Sequence, residues 1–147
     1  MDLKTILLLI PLLPLAGSLI AGLLRNRIGR TGAHTVTIGA VAGSFALSAW
    51  VAWQVFGTDW EVLNYTVYKW AVTGGVDLEV GFLIDSLTAL MMVVVTFVSF
   101  MVHVYTIGYM HDDPGYQRFF AYINLFTFAM LMLVMANNFL QLFFGWE

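Results

Sequence analysis

The stretch Ser86–His111 reads SLTALMMVVVTFVSFMVHVYTIGYMH and contains no Asp, Glu, Lys or Arg. A helix of about 20 apolar residues crosses the ~30 Å hydrocarbon core of a bilayer, so this stretch is long enough to span it once. Outward from it lie three more uncharged runs, Thr5–Leu24, Thr31–Thr58 and Phe119–Trp146. The last is interrupted by Asn137-Asn138, which predicts one helix to about Ala136 and the start of another near Asn138. The reading is an all-α polytopic membrane protein with about four transmembrane helices plus the start of a fifth, over about 5–24, 33–56, 85–110, 117–136 and 138–147. Bulk composition agrees: of 147 residues, 61% are hydrophobic and 10% charged, against roughly 25% charged in soluble domains. Residues 1–147 read as one transmembrane region. Because the apolar run stops at Glu147 inside the fifth helix, the chain is expected to be the N-terminal fragment of a longer protein.

The flanks set an expected orientation. A secretory signal peptide carries its positive charge before the apolar segment. Here Asp2 and Lys4 cancel, and Arg25, Arg27 and Arg30 all follow, so the first helix is expected to be retained. Lys and Arg concentrate in cytoplasmic loops, which puts Arg25–Arg30 and His111–Arg118 inside and the N-terminus outside. The segment 57–84 is then external. Asn64–Val72 is rich in Tyr, Thr and Val, Thr73-Gly74-Gly75 offers a turn, and Val76, Leu78, Val80 and Phe82 alternate with Asp77, Glu79 and Gly81. That pattern predicts a small external β-hairpin between helices 2 and 3, with an irregular polar loop as the alternative. An isolated hairpin is marginal in water, so it is expected to lie against this chain or a neighbour.

Several function classes drop out. Net charge is −3 with six Lys+Arg, which gives no basic footprint for nucleic acid. The absence of cysteine excludes thiolate metal sites, Fe–S ligation, disulfides and Cys nucleophiles within these residues. No glycine-rich phosphate loop follows a strand.

The chemistry-bearing candidates lie on the helices. Asp85, Thr88, Met92, Thr96, Ser99, His103 and Thr106 recur at helical spacing and form one stripe. Hydroxyls in membrane helices often bond only the preceding turn, so Thr96 and Ser99 alone carry little. His103 is a stronger candidate, because an intramembrane ionisable group tends to face the protein interior or water and to serve a pathway, and imidazole exchanges protons near neutrality. A satisfied structural histidine is the competing reading. Asp85 reads as a helix cap or an interfacial carboxylate. Glu147 is nine residues past Asn138, about 13–14 Å along a helix axis at ~1.5 Å per residue, close to mid-membrane. An unpaired carboxylate there is costly and needs a proton or a cation; the bland alternative leaves it at an interface. Pro11 and Pro14 predict a kink in the first helix, Gly39/Gly43 and Ala40/Ser44/Ser48 a close packing face, and Asn124 with Thr127 interhelical hydrogen bonds. His34 has no evident role, and His111 reads as solvated.

Four stretches carry a family resemblance: Ile84-Asp85-Ser86-Leu87-Thr88, His103–Met110 (HVYTIGYM), Tyr116–Phe126 (YQRFFAYINLF) and Asn138–Glu147 (NFLQLFFGWE). In this order and spacing the chain resembles the N-terminal region of the antiporter-like subunit L (mitochondrial chain 5) of NADH:quinone oxidoreductase, respiratory complex I. The resemblance implies a proton-translocating subunit of the membrane arm. It maps the family's fifth-helix glutamate onto Glu147, paired with a lysine on a later helix, and the third-helix histidine onto His103. It implies no cofactor in this subunit, the NADH, FMN, Fe–S and quinone sites belonging to others. The partners would be the other membrane-arm subunits, above all the neighbouring antiporter-like subunit, and the lipid bilayer. The alternatives are a Mrp-type Na⁺/H⁺ antiporter subunit, the membrane subunit of a hydrogenase complex, and a structural anchor without transport.

Overall fold

A computed structural model describes residues 2–147. In chain order it runs α1 (Leu3–Leu23), α2 (Arg25–Gly57), β1 (Leu63–Thr73), β2 (Val76–Ile84), α3 (Ser86–Tyr109), α4 (Tyr116–Val134) and α5 (Phe139–Trp146). Among the described residues, α1 to α4 are the helices long and apolar enough to cross a membrane. The expected helices all form, with ends displaced by a few residues. The largest change is at Arg25–Arg30, expected as a loop. It is already helical, and the chain turns at Gly29, whose φ of 66° lies in the left-handed region that glycine tolerates.

Pro11 and Pro14 lie inside α1, which stays helical through both. Pro14 has no N–H to give to the carbonyl four residues earlier, that of Ile10. The Ser44 hydroxyl of α2 donates to that carbonyl at 2.6 Å. In hydrocarbon no water can do so, so a neighbouring helix fills the gap. The same face brings α1 and α2 close: a Cβ at Gly17 would stand 2.9 Å from the Ala40 Cβ. The sequence spacing of Ser44 implied packing alone; the structure adds a hydrogen bond to it.

The hairpin forms as expected, β1 pairing antiparallel with β2 from Leu63↔Ile84 to Thr73↔Val76. Its two-residue turn uses Gly74 (φ 61°) and Gly75 (φ 85°), the positive pair that matches strand twist. The hairpin lies against its own chain. Phe82 and Ile84 are buried with Ile6, Leu7, Ile10, Val51, Met92 and Leu131. The Trp60 indole N–H donates to the Ile84 carbonyl at 3.2 Å. The free edge of β2 is covered rather than exposed: the Leu83 N–H donates to the Met135 carbonyl at 3.0 Å, and the Gly81 N–H to Gln141 Oε1 at 2.9 Å. Asn138 donates from Nδ2 to the Glu79 carbonyl at 2.8 Å and accepts at Oδ1 from the Gln141 N–H, also at 2.8 Å. The break read at Asn137-Asn138 is thus both a dock for the hairpin and the N-cap of α5.

Replacing Ser44 by Ala leaves the Ile10 carbonyl buried without a donor, at a cost of ~1–3 kcal/mol. Thermal unfolding of the detergent-solubilised protein should show this loss. In a Pro14→Ala background the restored backbone N–H can bond Ile10, so Ser44→Ala should cost clearly less there. Equal cost in both backgrounds would refute the substitution of one donor for the other.

Candidate functional site

Of the polar stripe on α3, the structure assembles His103 and Ser99 into one unit with α4. His103 is fully buried. Its Nδ1 lies 2.6 Å from the Ser99 carbonyl oxygen. A carbonyl only accepts, so Nδ1 carries the proton and Nε2 holds the lone pair. The Ser99 hydroxyl is 2.5 Å from Thr127 Oγ1, and Thr127 donates onward to the Ile123 carbonyl at 3.0 Å. The order of donors runs from Ser99 through Thr127 to Ile123, with the Ser99 oxygen also 3.3 Å from Nδ1. His103 Nε2 is buried with no hydrogen-bond partner among the described residues. In the neutral ring it is a proton acceptor that the described residues leave free.

The remaining stripe residues divide. Thr96 is fully buried and donates to the Met92 carbonyl at 2.7 Å, the local bond that hydroxyls in membrane helices commonly make. It has no part in the His103 network. Asp85 is the N-cap of α3, its Oδ1 accepting from the Thr88 N–H at 2.7 Å. That bond holds the Asp85 carboxyl below the usual carboxylate range. Of the pair expected to bond between helices, Thr127 does so through Ser99, but Asn124 does not. Its amide is fully buried, with neither Nδ2 nor Oδ1 paired. Gly17 of α1 packs on it, since a Cβ there would overlap Asn124 Nδ2.

Glu147 closes α5, its N–H bonded to the Phe143 carbonyl at 3.0 Å. The residue is exposed and borders two cavities. One, of about 650 Å³, runs along α4 from Tyr122 to Leu133; the other, of about 600 Å³, faces Tyr68, Trp70 and Glu79 of the hairpin. Gly145 sets this position: a Cβ there would stand 2.8 Å from the Leu133 N and 3.0 Å from the Ala129 carbonyl of α4. Only glycine lets α5 lie that close, which gives the Gly145-Trp146-Glu147 stretch a physical reason for its first residue. Glu147 shares no hydrogen bond with His103 among the described residues.

Sequence reading missed a second histidine. His34 Nδ1 lies 2.8 Å from the Tyr116 hydroxyl, and the Arg30 guanidinium sits 5.5 Å from the Tyr116 ring centroid. Arg30 also donates to the backbone carbonyls of His111 and Asp113, the latter at 3.1 Å. Separations of 82 residues leave no local signal for such a pair.

With this geometry in place, comparison with known proteins is informative. Residues 70–120 match the family model described as NADH-Ubiquinone oxidoreductase (complex I), chain 5 N-terminus. The chain is 64% identical over 144 residues to the NADH-quinone oxidoreductase subunit L of Neisseria meningitidis serogroup A, covering 97% of this chain and 21% of that protein. The chain is thus similar over most of its length to part of a complex I subunit L. The NADH-ubiquinone oxidoreductase chain 5 of Arabidopsis thaliana is 44% identical over 140 residues, covering 95% of this chain and 21% of its own. That of Dictyostelium discoideum is 39% identical over 136 residues, covering 92% and 20%. The chain thus spans about a fifth of the length of these subunit L and chain 5 relatives. The stretch matched by the family model runs from the hairpin through α3 and His103 to Phe120. With its four apolar helices, the chain is a multi-pass membrane protein.

The Asp85 cap generates a pH-dependent prediction. The folded carboxyl ionises at lower pH than the unfolded one, so its stabilisation is complete above about pH 4 and is lost as pH falls through the lowered value. Asp85→Ala should destabilise by about 1 kcal/mol at neutral pH, and the gap from the parent should close in acid. Asp85→Asn keeps the acceptor and should melt near the parent, without that acid-dependent loss. A gap for Asp85→Ala that persists unchanged in acid would show that the charge does not support the cap.

Proposed function

We propose that this chain is the N-terminal part of a proton-translocating membrane-arm subunit of NADH:quinone oxidoreductase, with Glu147 as its coupling carboxylate. The observation that carries this reading is the 64% identity to subunit L over 97% of the chain, joined to a carboxylate that closes an apolar helix beside two cavities. In this reading the subunit holds no redox centre. The NADH, FMN, Fe–S and quinone chemistry takes place in other subunits, and the chain packs against the other membrane-arm subunits and lipid. The N-terminus lies on the periplasmic side, with Arg25, Arg27 and Arg30 on the cytoplasmic side.

The mechanism is electrostatic. Glu147 pairs with a lysine on a later helix. Redox chemistry elsewhere in the complex shifts that pair between a closed and an open state. Opposite charges a few ångströms apart in a medium of low dielectric interact strongly, so opening the pair changes the lysine's affinity for a proton. A ligand or redox event that favours one state drives the exchange by shifting populations. His103 serves as a relay: its free Nε2 accepts a proton while Nδ1–H stays anchored on Ser99.

Glu147→Gln removes the charge at similar volume. In membrane vesicles carrying the assembled complex, NADH-driven proton uptake should fall to a small residue of the parental value. Uptake at the parental rate would refute the role of Glu147. His103→Ala should slow turnover several-fold while the complex still assembles, and parental turnover would leave His103 as packing only.

A further inference from the structure

Along α3 and α4 lie buried polar atoms that no described residue satisfies. His103 Nε2 and both amide atoms of Asn124 are buried and unpaired among the described residues. Leaving such groups dry is costly, and buried polar groups are normally met by protein or by ordered water. The two residues stand at the same level of the bundle, with the Asn124 amide also against Gly17 of α1. Ser99 touches Thr127 and the helices run antiparallel, so one turn along α3 to His103 corresponds to moving back along α4 toward Asn124 and Phe120. Contact between the His103 and Phe120 rings, 5.9 Å apart and tilted by 51°, fixes that register.

Phe120 also touches the other histidine. Its ring centroid is 6.3 Å from that of His34, at 49°, and 4.9 Å from that of Tyr116. The side chain is fully buried. Exposure falls along this line: Arg30 is exposed, His34 half-buried and His103 buried. One apolar ring is therefore the common neighbour of a histidine near the Arg30 end of the bundle and a histidine inside it. The groups facing the outer histidine are Tyr116 of α4 and, beyond it, Arg30 of α2, itself held by the α3–α4 turn through the His111 and Asp113 carbonyls. Among the described residues no ion pair reaches either His34 or His103.

We propose that water held by His103 Nε2 and Asn124 forms the inner station of a proton path, that His34 with Tyr116 forms its outer station, and that the Phe120 ring is the gate between them. This rests on the reading of His103 as a relay. Apolar constrictions gate by excluding water. With Phe120 in place the two stations are dry to each other. When the ring turns aside, water bridges them. A proton leaves the His34 imidazolium for that water, and a proton from the same chain binds His103 Nε2. His34 becomes neutral, His103 becomes cationic, and Nδ1–H remains on Ser99. No other bond changes.

The test is deuterium exchange at the imidazole C2 position, read by mass spectrometry on the intact complex in D₂O. In the parent, His34 should exchange readily and His103 slowly. Phe120→Ala should speed His103 by about tenfold, as expected when a closed site becomes open, and leave His34 unchanged. Phe120→Leu keeps the apolar bulk and should stay near the parent. Asn124→Leu, which removes a water ligand without touching the gate, should slow His103 further. If Phe120→Ala does not assemble, the Asn124→Leu and parental measurements still decide. Parental exchange of His103 as fast as that of His34 overturns the gate, as does unchanged His103 exchange in assembled Phe120→Ala. Unchanged exchange in Asn124→Leu overturns the water station. Exchange reads access rather than turnover. Parental turnover in His103→Ala would therefore remove the relay reading while these access results stood, and unchanged access would remove the path with the relay intact.

Discussion

Hydrocarbon offers no hydrogen-bond partner, so every backbone group that a helix leaves unpaired must be met by another part of the same protein. Much of this structure follows from that constraint. Pro14 frees the Ile10 carbonyl, and Ser44 comes from α2 to meet it. The Ser18 hydroxyl, itself buried, finds its own partner in the Ala121 carbonyl at 2.8 Å, which joins α1 to α4. The hairpin would otherwise present a raw strand edge, a liability in any sheet. The break between α4 and α5 covers it with Met135, Asn138 and Gln141. Polar side chains inside the bundle thus act first as stand-ins for water. Their positions are set by where the backbone fails.

Against that background the unpaired groups stand out. The described residues meet the Ile10 carbonyl and the β2 edge, yet leave, besides Ser48 Oγ and Gln141 Nε2, His103 Nε2 and the Asn124 amide without a partner. Neither can be explained as a device for satisfying backbone. Each retains hydrogen-bonding capacity in a place where unused capacity is costly. That contrast distinguishes Thr96 from His103 on the same face of α3: Thr96 turns back onto its own helix, whereas the histidine fixes one ring nitrogen and keeps the other free.

The architecture was largely legible in the sequence because it depends on coarse signals. Runs without charge mark the helices, and period-two alternation around Gly74-Gly75 marks the hairpin. Paired asparagines mark the end of α4. The helix boundaries were less legible, since helical geometry at Arg25–Arg30 is interrupted by one glycine conformation and not by a change in polarity. The site was legible only residue by residue. His103 and Glu147 are conspicuous as ionisable groups in apolar runs. The pairing of His34 with Tyr116 and the placement of Phe120 depend on packing between α2 and α4, across 82 residues of chain. Asn124 shows the limit most directly: its type and spacing read as an interhelical hydrogen bond, and the structure leaves it empty.

The two ionisable candidates also differ in what holds them. His103 is fixed by its contacts with Ser99 and by the Phe120 ring of α4, all within the described residues. Glu147 is fixed only through backbone: the Phe143 carbonyl below it and the glycine that lets α5 lie against α4. Glu147 is exposed and borders the two cavities along α4 and the hairpin. The packing of α5 on α4 thus fixes the Glu147 backbone, whereas Ser99 fixes the His103 ring itself.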